Sequence, residues 1–141
     1  MICYAVIDTN VLVSALLSSS DDAATVQVAG RLLTGELIPV YSADIMKEYK
    51  DVLGRKKFNF SKDTINYLLS AIEKYGVITE PSPTGAILPD IKDLPFYEVV
   101  MEKRDDNAYL VTGNLKHFPK EPFIVTARQM IDILNGVYDQ R

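Results

Sequence analysis

The sequence predicts an α/β fold in which a mostly parallel central sheet lies between two layers of helices. Short runs rich in Val, Ile, Leu and Tyr alternate along the chain with longer amphipathic segments, as they do in βαβ units. These short runs are apolar at consecutive positions, which is typical of strands buried on both faces. No internal repeat or linker-like segment divides the 141 residues. We therefore expect one three-layer α/β/α domain spanning residues 1–141.

The first strand is predicted over residues 1–8, an apolar run that ends at the carboxylate of Asp8. Residues 9–17 follow at once and are expected to form a helix, so the chain opens with a strand–turn–helix junction. An acid at the carboxyl end of a strand lies where open α/β sheets bind ligands. The alternative is that Asp8 only caps the helix with its side-chain oxygen, and the junction alone leaves both possibilities open.

Two helices flank the second predicted strand. The first is expected to start at a Ser20 cap and to end at Gly35. Residues 37–41 form the strand, although Pro39 has no N–H to donate and fits better near a sheet edge. A helix capped by a serine follows over residues 42–55.

The second half of the chain repeats the alternation. Serine and threonine caps, a proline in a first turn and terminal glycines mark the helix ends. The predicted elements are a helix over 61–76, a strand over 77–79, a loop over 80–89, a helix from 93, strands over 108–112 and 123–125, and a helix over 126–136.

The composition limits the classes of protein that are possible. A net charge of −4 argues against a binder that holds nucleic acid mainly through Lys and Arg. It does not exclude a nuclease, because bound metal ions offset clustered carboxylates. The single cysteine, Cys3, cannot form an internal disulfide, and no secretion signal or membrane-spanning run is visible. We expect a soluble, cytoplasmic protein without a membrane partner.

Several oxygen-bearing side chains are expected to gather at one edge of the sheet. Asp8 ends the first strand, Asp93 starts a helix, and Asn114 follows the strand over 108–112. Glu48 lies at the border of an apolar helix stripe, where a carboxylate is costly unless it is paired or binds a metal. Carboxylate and amide oxygens without a histidine or cysteine cluster favour Mg²⁺ or Mn²⁺. The alternative for Glu48 is a salt bridge with a neighbouring cation, Lys47 or Arg55.

Four segments of the chain resemble the motifs of PIN-domain ribonucleases. Residues 7–17, IDTNVLVSALL, look like the opening motif, and the segment from Glu48 to Phe58 looks like the acidic helix. Residues 90–98, DIKDLPFYE, and 110–118, LVTGNLKHF, resemble the third and closing motifs. The order and spacing agree over nearly the whole chain. The likeness is greatest to the toxin component of prokaryotic toxin–antitoxin pairs.

The resemblance implies a role for each matching residue. Asp8, Glu48 and Asp93 would bind the catalytic metal, and Thr112 and Asn114 would complete the site. Two further residues, Asn10 and Ser14, would orient Asp8. The resemblance also implies an RNA substrate, a homodimer or larger homo-oligomer, and a small antitoxin that blocks the site.

One departure from the family pattern concerns the closing motif, which often has Asp where this chain has Asn114. An amide oxygen can still coordinate a metal, but the site then carries one negative charge fewer. The expected consequence is weaker activity or weaker binding of a second metal. Asp90 could substitute as a ligand if its segment were helical, because it would then lie one turn before Asp93.

Other charged segments have less specific interpretations. The pair Asp105–Asp106 precedes a strand, so it belongs at the opposite, amino end of the sheet, and we interpret it as a solvated turn. Basic residues that could contact the RNA backbone follow the third helix and the closing motif: Arg55, Lys56, Lys57 and Lys116. Phe58 or Phe60 could stack on a base. His117 could contact a phosphate or pack beside the turn.

The sequence thus predicts a Mg²⁺- or Mn²⁺-dependent endoribonuclease, and two rivals remain open. One is a phosphohydrolase of the haloacid-dehalogenase type, which needs a second aspartate where this chain has Asn10. The other is a catalytically silent member that binds RNA or protein, which Asn114 keeps open.

Overall fold

A computed structural model describes residues 2–136. The chain alternates between strand and helix, and the elements occur in one order. They are β1 Cys3–Ile7, α1 Thr9–Leu17, α2 Ala24–Thr34, β2 Leu37–Tyr41, α3 Ala43–Leu53, α4 Lys62–Tyr75, β3 Val77–Ile78, α5 Leu94–Glu102, β4 Tyr109–Val111, β5 Ile124–Val125 and α6 Ala127–Leu134.

The five strands form one sheet in the order β3-β2-β1-β4-β5, and every neighbouring pair is parallel. The chain therefore starts in the middle of the sheet, extends to one edge and then crosses back to the other side of β1. Ala5, Val6 and Ile7 of β1 are fully buried although consecutive strand residues point to opposite faces. Both faces of the sheet are therefore covered.

Helices cover the two faces as separate layers. Helix α2 packs against β2 and contacts α1, α4 and α6, whereas α5 lies across β1, β2 and β4. The core is continuous through the sheet and includes the large side chains Leu32, Tyr49, Phe96 and Ile131. The predicted three-layer α/β/α fold with a parallel sheet is confirmed.

Two local predictions were wrong. Helix α2 starts at Ala24 rather than at Ser20, because the serine and the two aspartates after it form a separate turn. Pro39 lies in an internal strand and not near a sheet edge. The proline is tolerated there because β3 pairs only with the two residues that follow it in β2, Val40 and Tyr41.

Most helix ends follow the predicted capping chemistry. Ser42, Ser61 and Thr126 each accept a backbone N–H at the start of a helix, and Thr126 forms a full capping box with Gln129. Gly35 ends α2 with a φ of 82°, a conformation that favours glycine. Within residues 2–136, we find no helix with the length and apolar character needed to cross a membrane.

Candidate active site

The buried polar side chains mark one edge of the sheet. Among residues 2–136, the polar or charged side chains that are buried are Asp8, Thr9, Ser42 and Thr112. Each follows the carboxyl end of a parallel strand: β1 for the first two, β2 for Ser42 and β4 for Thr112. Ser42 accepts the backbone N–H of Ile45 and so caps α3. The other three lie where a parallel sheet places its ligands.

Asp8 accepts hydrogen bonds from the end of β4 and from the first turn of α1. The register that pairs Ile7 with Val111 brings Asp8 beside Thr112, whose hydroxyl donates to Asp8 Oδ2 over 2.8 Å. The side-chain amide of Asn10 donates to the same oxygen over 3.3 Å. Asp8 occupies the position before α1, but its side chain makes no capping hydrogen bond. The carboxylate therefore does not cap α1, and it bonds to Thr112 at the end of β4 instead.

Asn10 and Thr112 also tie the two strand ends together. Asn10 Oδ1 accepts the backbone N–H of Gly113 over 3.1 Å, and Thr112 Oγ1 accepts that of Asn114 over 3.0 Å. A Cβ at Gly113 would lie 3.3 Å from Asn10 Oδ1, so the close approach favours glycine. Asn114 is thus fixed through its backbone beside the group that holds Asp8.

Glu48 reaches the site from α3. Its side chain is half-buried, and Glu48 Oε2 accepts a hydrogen bond from the hydroxyl of Thr9. The next residue, Tyr49, is buried and donates its hydroxyl to the carbonyl oxygen of Ile7 over 2.6 Å. The proposed salt bridge of Glu48 is absent from the described ion pairs: Arg55 is 3.2 Å from Asp51 instead.

Asp93 is the last residue of a 3₁₀ turn, Ile91–Asp93, that leads into α5. Asp93 Oδ2 lies 3.1 Å from Nδ1 of His117. Asp90 precedes the turn, is exposed, and accepts the backbone N–H of Lys92 over 2.9 Å. The segment is helical in the 3₁₀ sense, so the two aspartates are neighbours one turn apart, and Asp90 acts as the cap of that turn.

The electrostatics of the site reflect burial and crowding of like charges. The pKa of Asp8 is raised from 3.8 to about 6, chiefly by burial and also by the charges of Asp93 and Glu48, against the lowering effect of the Thr112 hydrogen bond. Burial also raises the pKa of Asp93, while His117 lowers it and Asp90 raises it. Asp8 therefore interacts with both other predicted metal ligands.

The residues have the chemistry to bind a divalent cation, but their side chains do not form a complete coordination site. The buried Asp8 and the two carboxylates near it, Glu48 and Asp93, offer the oxygen ligands and the negative charge that Mg²⁺ or Mn²⁺ requires. Within residues 2–136, however, no three Asp, Glu, His or Cys side chains are placed to hold one ion together. Thr9 contacts one oxygen of Glu48, Oε2, and His117 contacts one oxygen of Asp93, Oδ2.

The remaining predicted residues lie outside this group. Ser14 is exposed on α1, and the side-chain hydrogen bonds to Asp8 come from Asn10 and Thr112 instead. The basic residues of the two predicted RNA contacts are all exposed: Arg55, Lys56, Lys57 and Lys116. Asp105 and Asp106 are exposed in a turn before β4, at the amino end of the sheet.

The two aromatic residues after the basic segment stack on each other. The rings of Phe58 and Phe60 are nearly parallel, with centroids 5.4 Å apart, and Lys57 Nζ lies 5.1 Å from the Phe58 centroid. Phe60 also packs against the core. The pair therefore presents a supported aromatic face next to exposed positive charge.

Sequence reasoning missed three contacts of the site: Thr9 with Glu48, Tyr49 with the end of β1, and His117 with Asp93. Thr9 and Tyr49 had a signal, since each is the chain neighbour of a predicted metal ligand. The contact of His117 had none, because it joins two loops that only the fold brings together.

The fold and the buried Asp8, with Glu48 and Asp93 near it, define a parallel α/β protein with a carboxylate site at the ends of its central strands. A family model described as PIN domain matches residues 4–116, and the chain belongs to this family. PIN domains have a nuclease-type fold; they generally depend on divalent metals and act on RNA or other nucleic acid. Comparison with curated proteins and with solved structures gave no significant match.

Proposed function

We propose that this chain is an endoribonuclease that hydrolyses RNA phosphodiester bonds with Mg²⁺ or Mn²⁺ held by Asp8, Glu48 and Asp93. The observation that carries the proposal is the state of Asp8. It is buried, its pKa is raised to about 6, and two further carboxylates raise that pKa rather than offset the charge. A buried anion in such surroundings gains most from a bound cation, which here would be the catalytic metal.

The chain's own residues would supply the positioning that the chemistry needs. A divalent ion, when bound, lowers the pKa of water and neutralises charge on the phosphate. Thr112 and Asn10 hold Asp8 Oδ2 in place, and the hydroxyl of Thr9 holds Glu48. Asn114 would complete the catalytic set with its amide oxygen, at a strand end already fixed by its backbone N–H.

The RNA substrate would be held by the exposed basic residues that follow α3 and β4. Arg55, Lys56 and Lys57 would contact phosphates, and the stacked Phe58–Phe60 pair would support a base. Lys116 would contribute a phosphate contact beside His117. These contacts place positive charge locally in a chain whose net charge is −4.

The first test is cleavage of single-stranded RNA by purified protein with Mn²⁺ or Mg²⁺, with EDTA, and by Asp8→Asn. We expect metal-dependent cleavage that falls at least about a hundredfold in Asp8→Asn, because a charged metal ligand is lost. The matched control is Asp106→Asn, which removes an exposed carboxylate at the amino end of the sheet and is expected to cleave normally.

Failure of this test would favour a catalytically silent RNA- or protein-binding member. Two observations support that second candidate: Asn114 stands where the closing motif often has Asp, and the three acids do not converge on one point. RNA binding without cleavage in any metal would identify it. Membership of the PIN family favours both candidates over the phosphohydrolase. The phosphohydrolase would need an aspartate at position 10, where Asn10 instead donates to Asp8 and accepts the backbone N–H of Gly113.

The proposal extends to a toxin of a cytoplasmic toxin–antitoxin pair, with a small antitoxin and a homo-oligomeric state. Its support is the resemblance of the opening and closing motifs, residues 7–17 and 110–118. Induced expression is expected to arrest growth for the wild type and not for Asp8→Asn. Light scattering after size-exclusion chromatography measures the oligomeric state. Normal growth at an expression level confirmed by immunoblot would contradict the toxin role.

A further inference from the structure

A cavity of about 360 Å³ lies near the end of β4, and Lys116 is the only one of its lining residues with a role assigned above. It is lined by the segment that follows β4, by Ile124 of β5 and by Gln129 in the first turn of α6. Leu115, Pro119 and Ile124 form apolar walls, and Lys116 and Lys120 add two cations. Its volume falls within the range of sites for small organic groups, about 300–1,000 Å³.

The cavity and the acidic site share a single turn of chain. Leu115, Lys116 and His117 form one 3₁₀ turn, in which successive side chains point in directions about 120° apart. His117 contacts Asp93, whereas Leu115 and Lys116 line the cavity. The cavity and Asp93 therefore border the same three-residue turn.

From this juxtaposition we propose that the cavity holds one nucleotide of the RNA strand next to the bond that is cut. The base would lie against Leu115, Pro119 and Ile124, and its phosphate would contact Lys116 and Lys120. Leu115 is 41% exposed, so an apolar side chain faces solvent at a place where base contact would cover it. This inference rests on the proposed ribonuclease function and assigns that function a base-binding subsite.

The polar residues of the cavity could select among bases. Gln129 Oε1 already accepts the backbone N–H of Thr126 over 2.9 Å, which leaves the amide nitrogen of Gln129 to donate. Glu121 is exposed at the rim and can accept from an exocyclic amine. The cavity thus offers one fixed donor and one acceptor, together with apolar walls that fit any base.

Positive charge is the reason to assign the cavity to RNA rather than to a protein partner. Two lysines and one glutamate line it, in a chain that carries an excess of acidic residues overall. Lys116 lines the cavity and is the chain neighbour of His117, which contacts Asp93. Charge complementarity and continuity with the acids therefore both favour the substrate strand.

The test measures RNA binding without cleavage. Short fluorescein-labelled single-stranded RNAs are titrated in EDTA into protein carrying Asp8→Asn, alone or with Leu115→Asp or Lys120→Glu. We expect each added substitution to weaken binding about tenfold, and Lys120→Glu to lower the salt dependence of binding by about one ion or more. Matched controls are Leu17→Asp, at a leucine 58% exposed at the end of α1, and Lys74→Glu, exposed near the end of α4. Both controls are expected to bind RNA as Asp8→Asn alone does.

A second measurement places the base directly. Nucleoside 5′-monophosphates of the four bases are titrated while methyl NMR signals of Leu115 and Ile124 are followed in the folded protein. Shifts at both methyl groups support the subsite, and unequal shifts among the four bases would reveal its preference. No shift at either methyl group, with RNA binding equal in Leu115→Asp and Leu17→Asp, would overturn it. Loss of protein-partner binding in Leu115→Asp with RNA binding intact would also overturn it and assign the cavity to a protein.

The two proposals fail in distinguishable ways. Metal-dependent cleavage by the wild type, with variants that bind RNA like their controls, would keep the nuclease and remove the subsite. Cavity-dependent RNA binding without cleavage in any metal would keep the base site and remove the nuclease.

Discussion

The two ends of β4 carry similar residues but have different environments. At the carboxyl end, Thr112 is buried and donates to Asp8, and Asp93 and Glu48 lie close enough to raise the pKa of that acid. At the amino end, Asp105 and Asp106 are adjacent in sequence, yet both are exposed in a 3₁₀ turn. Acidic groups therefore occur at both ends, but only the carboxyl end has a buried acid, Asp8.

The contacts at the amino end explain the difference. The guanidinium of Arg104 lies 4.1 Å from the Phe123 ring centroid and donates to the carbonyl oxygen of Ala108. Arg104 thus contacts the start of β4 through the backbone of Ala108, and the two aspartates remain exposed to water. Burial at a strand end, rather than the presence of acids, distinguishes the candidate site from the rest of the surface.

The largest expected effect concerns the pH dependence of stability without metal. Below about pH 3.8, Asp8 is protonated in both the folded and the unfolded chain. Between there and about pH 6, the unfolded chain releases this proton and the folded chain keeps it, so stability falls as the pH rises. The total loss is on the order of 3 kcal/mol.

Asp8→Asn isolates this contribution because an amide does not titrate. Urea denaturation in EDTA should show the free energy of unfolding of Asp8→Asn rising relative to the wild type between pH 4 and 7. Effects of Asp93, whose pKa is also raised, are common to both proteins. If the difference in free energy of unfolding between the two proteins stays constant over this pH range, the pKa of Asp8 is not raised in the folded chain.

Thr112→Val is expected to have the next largest effect. The substitution keeps the shape of the side chain and removes the hydroxyl that donates to Asp8 and accepts from Asn114. Loss of a buried hydrogen bond to a charged group costs about 1–3 kcal/mol, measured by urea denaturation at pH 7. Cleavage should fall about tenfold or more.

The matched control for this substitution is Thr34→Val, at an exposed threonine that precedes β2 at the amino end of the sheet. We expect it to change the free energy of unfolding by no more than about 0.5 kcal/mol. Equal effects of the two substitutions would remove the distinction between the two ends.

The smallest effect is expected when both acids of the amino end are neutralised together. Asp105→Asn with Asp106→Asn should leave RNA cleavage unchanged and shift the free energy of unfolding by about 0.5 kcal/mol or less, because both side chains are in water. Cleavage assays and thermal denaturation measure this. A tenfold loss of cleavage would transfer the candidate site to the amino end.

Local sequence patterns predicted the fold and the position of Asp8. Apolar runs and capping residues predicted the strands and most helix ends, and Asp8 follows from the rule that ligands bind where parallel strands end. Glu48 follows from its position at the border of an apolar stripe. These inferences need only the periodicity of each element. Thr112 was predicted only from the resemblance to the PIN-domain motifs.

Contacts between distant segments could not be predicted in the same way. The pairs Thr9–Glu48 and Asp93–His117 are 39 and 24 residues apart, and they depend on how helices and loops pack. Pro39 was misplaced because the sequence does not reveal how far β3 extends along β2. The geometry of the metal ligands could not be predicted from the sequence for a similar reason, because Thr9 and His117 contact the side chains of Glu48 and Asp93.

The hydrogen bond between Thr112 and Asp8 joins residues 104 positions apart. Both segments must therefore be synthesised before Asp8 acquires this donor. A chain that ends before residue 109 lacks Thr112 and also strand β4, which pairs with β1. If the chain cuts RNA, a nascent chain that has not reached Thr112 cannot yet assemble the site that cuts.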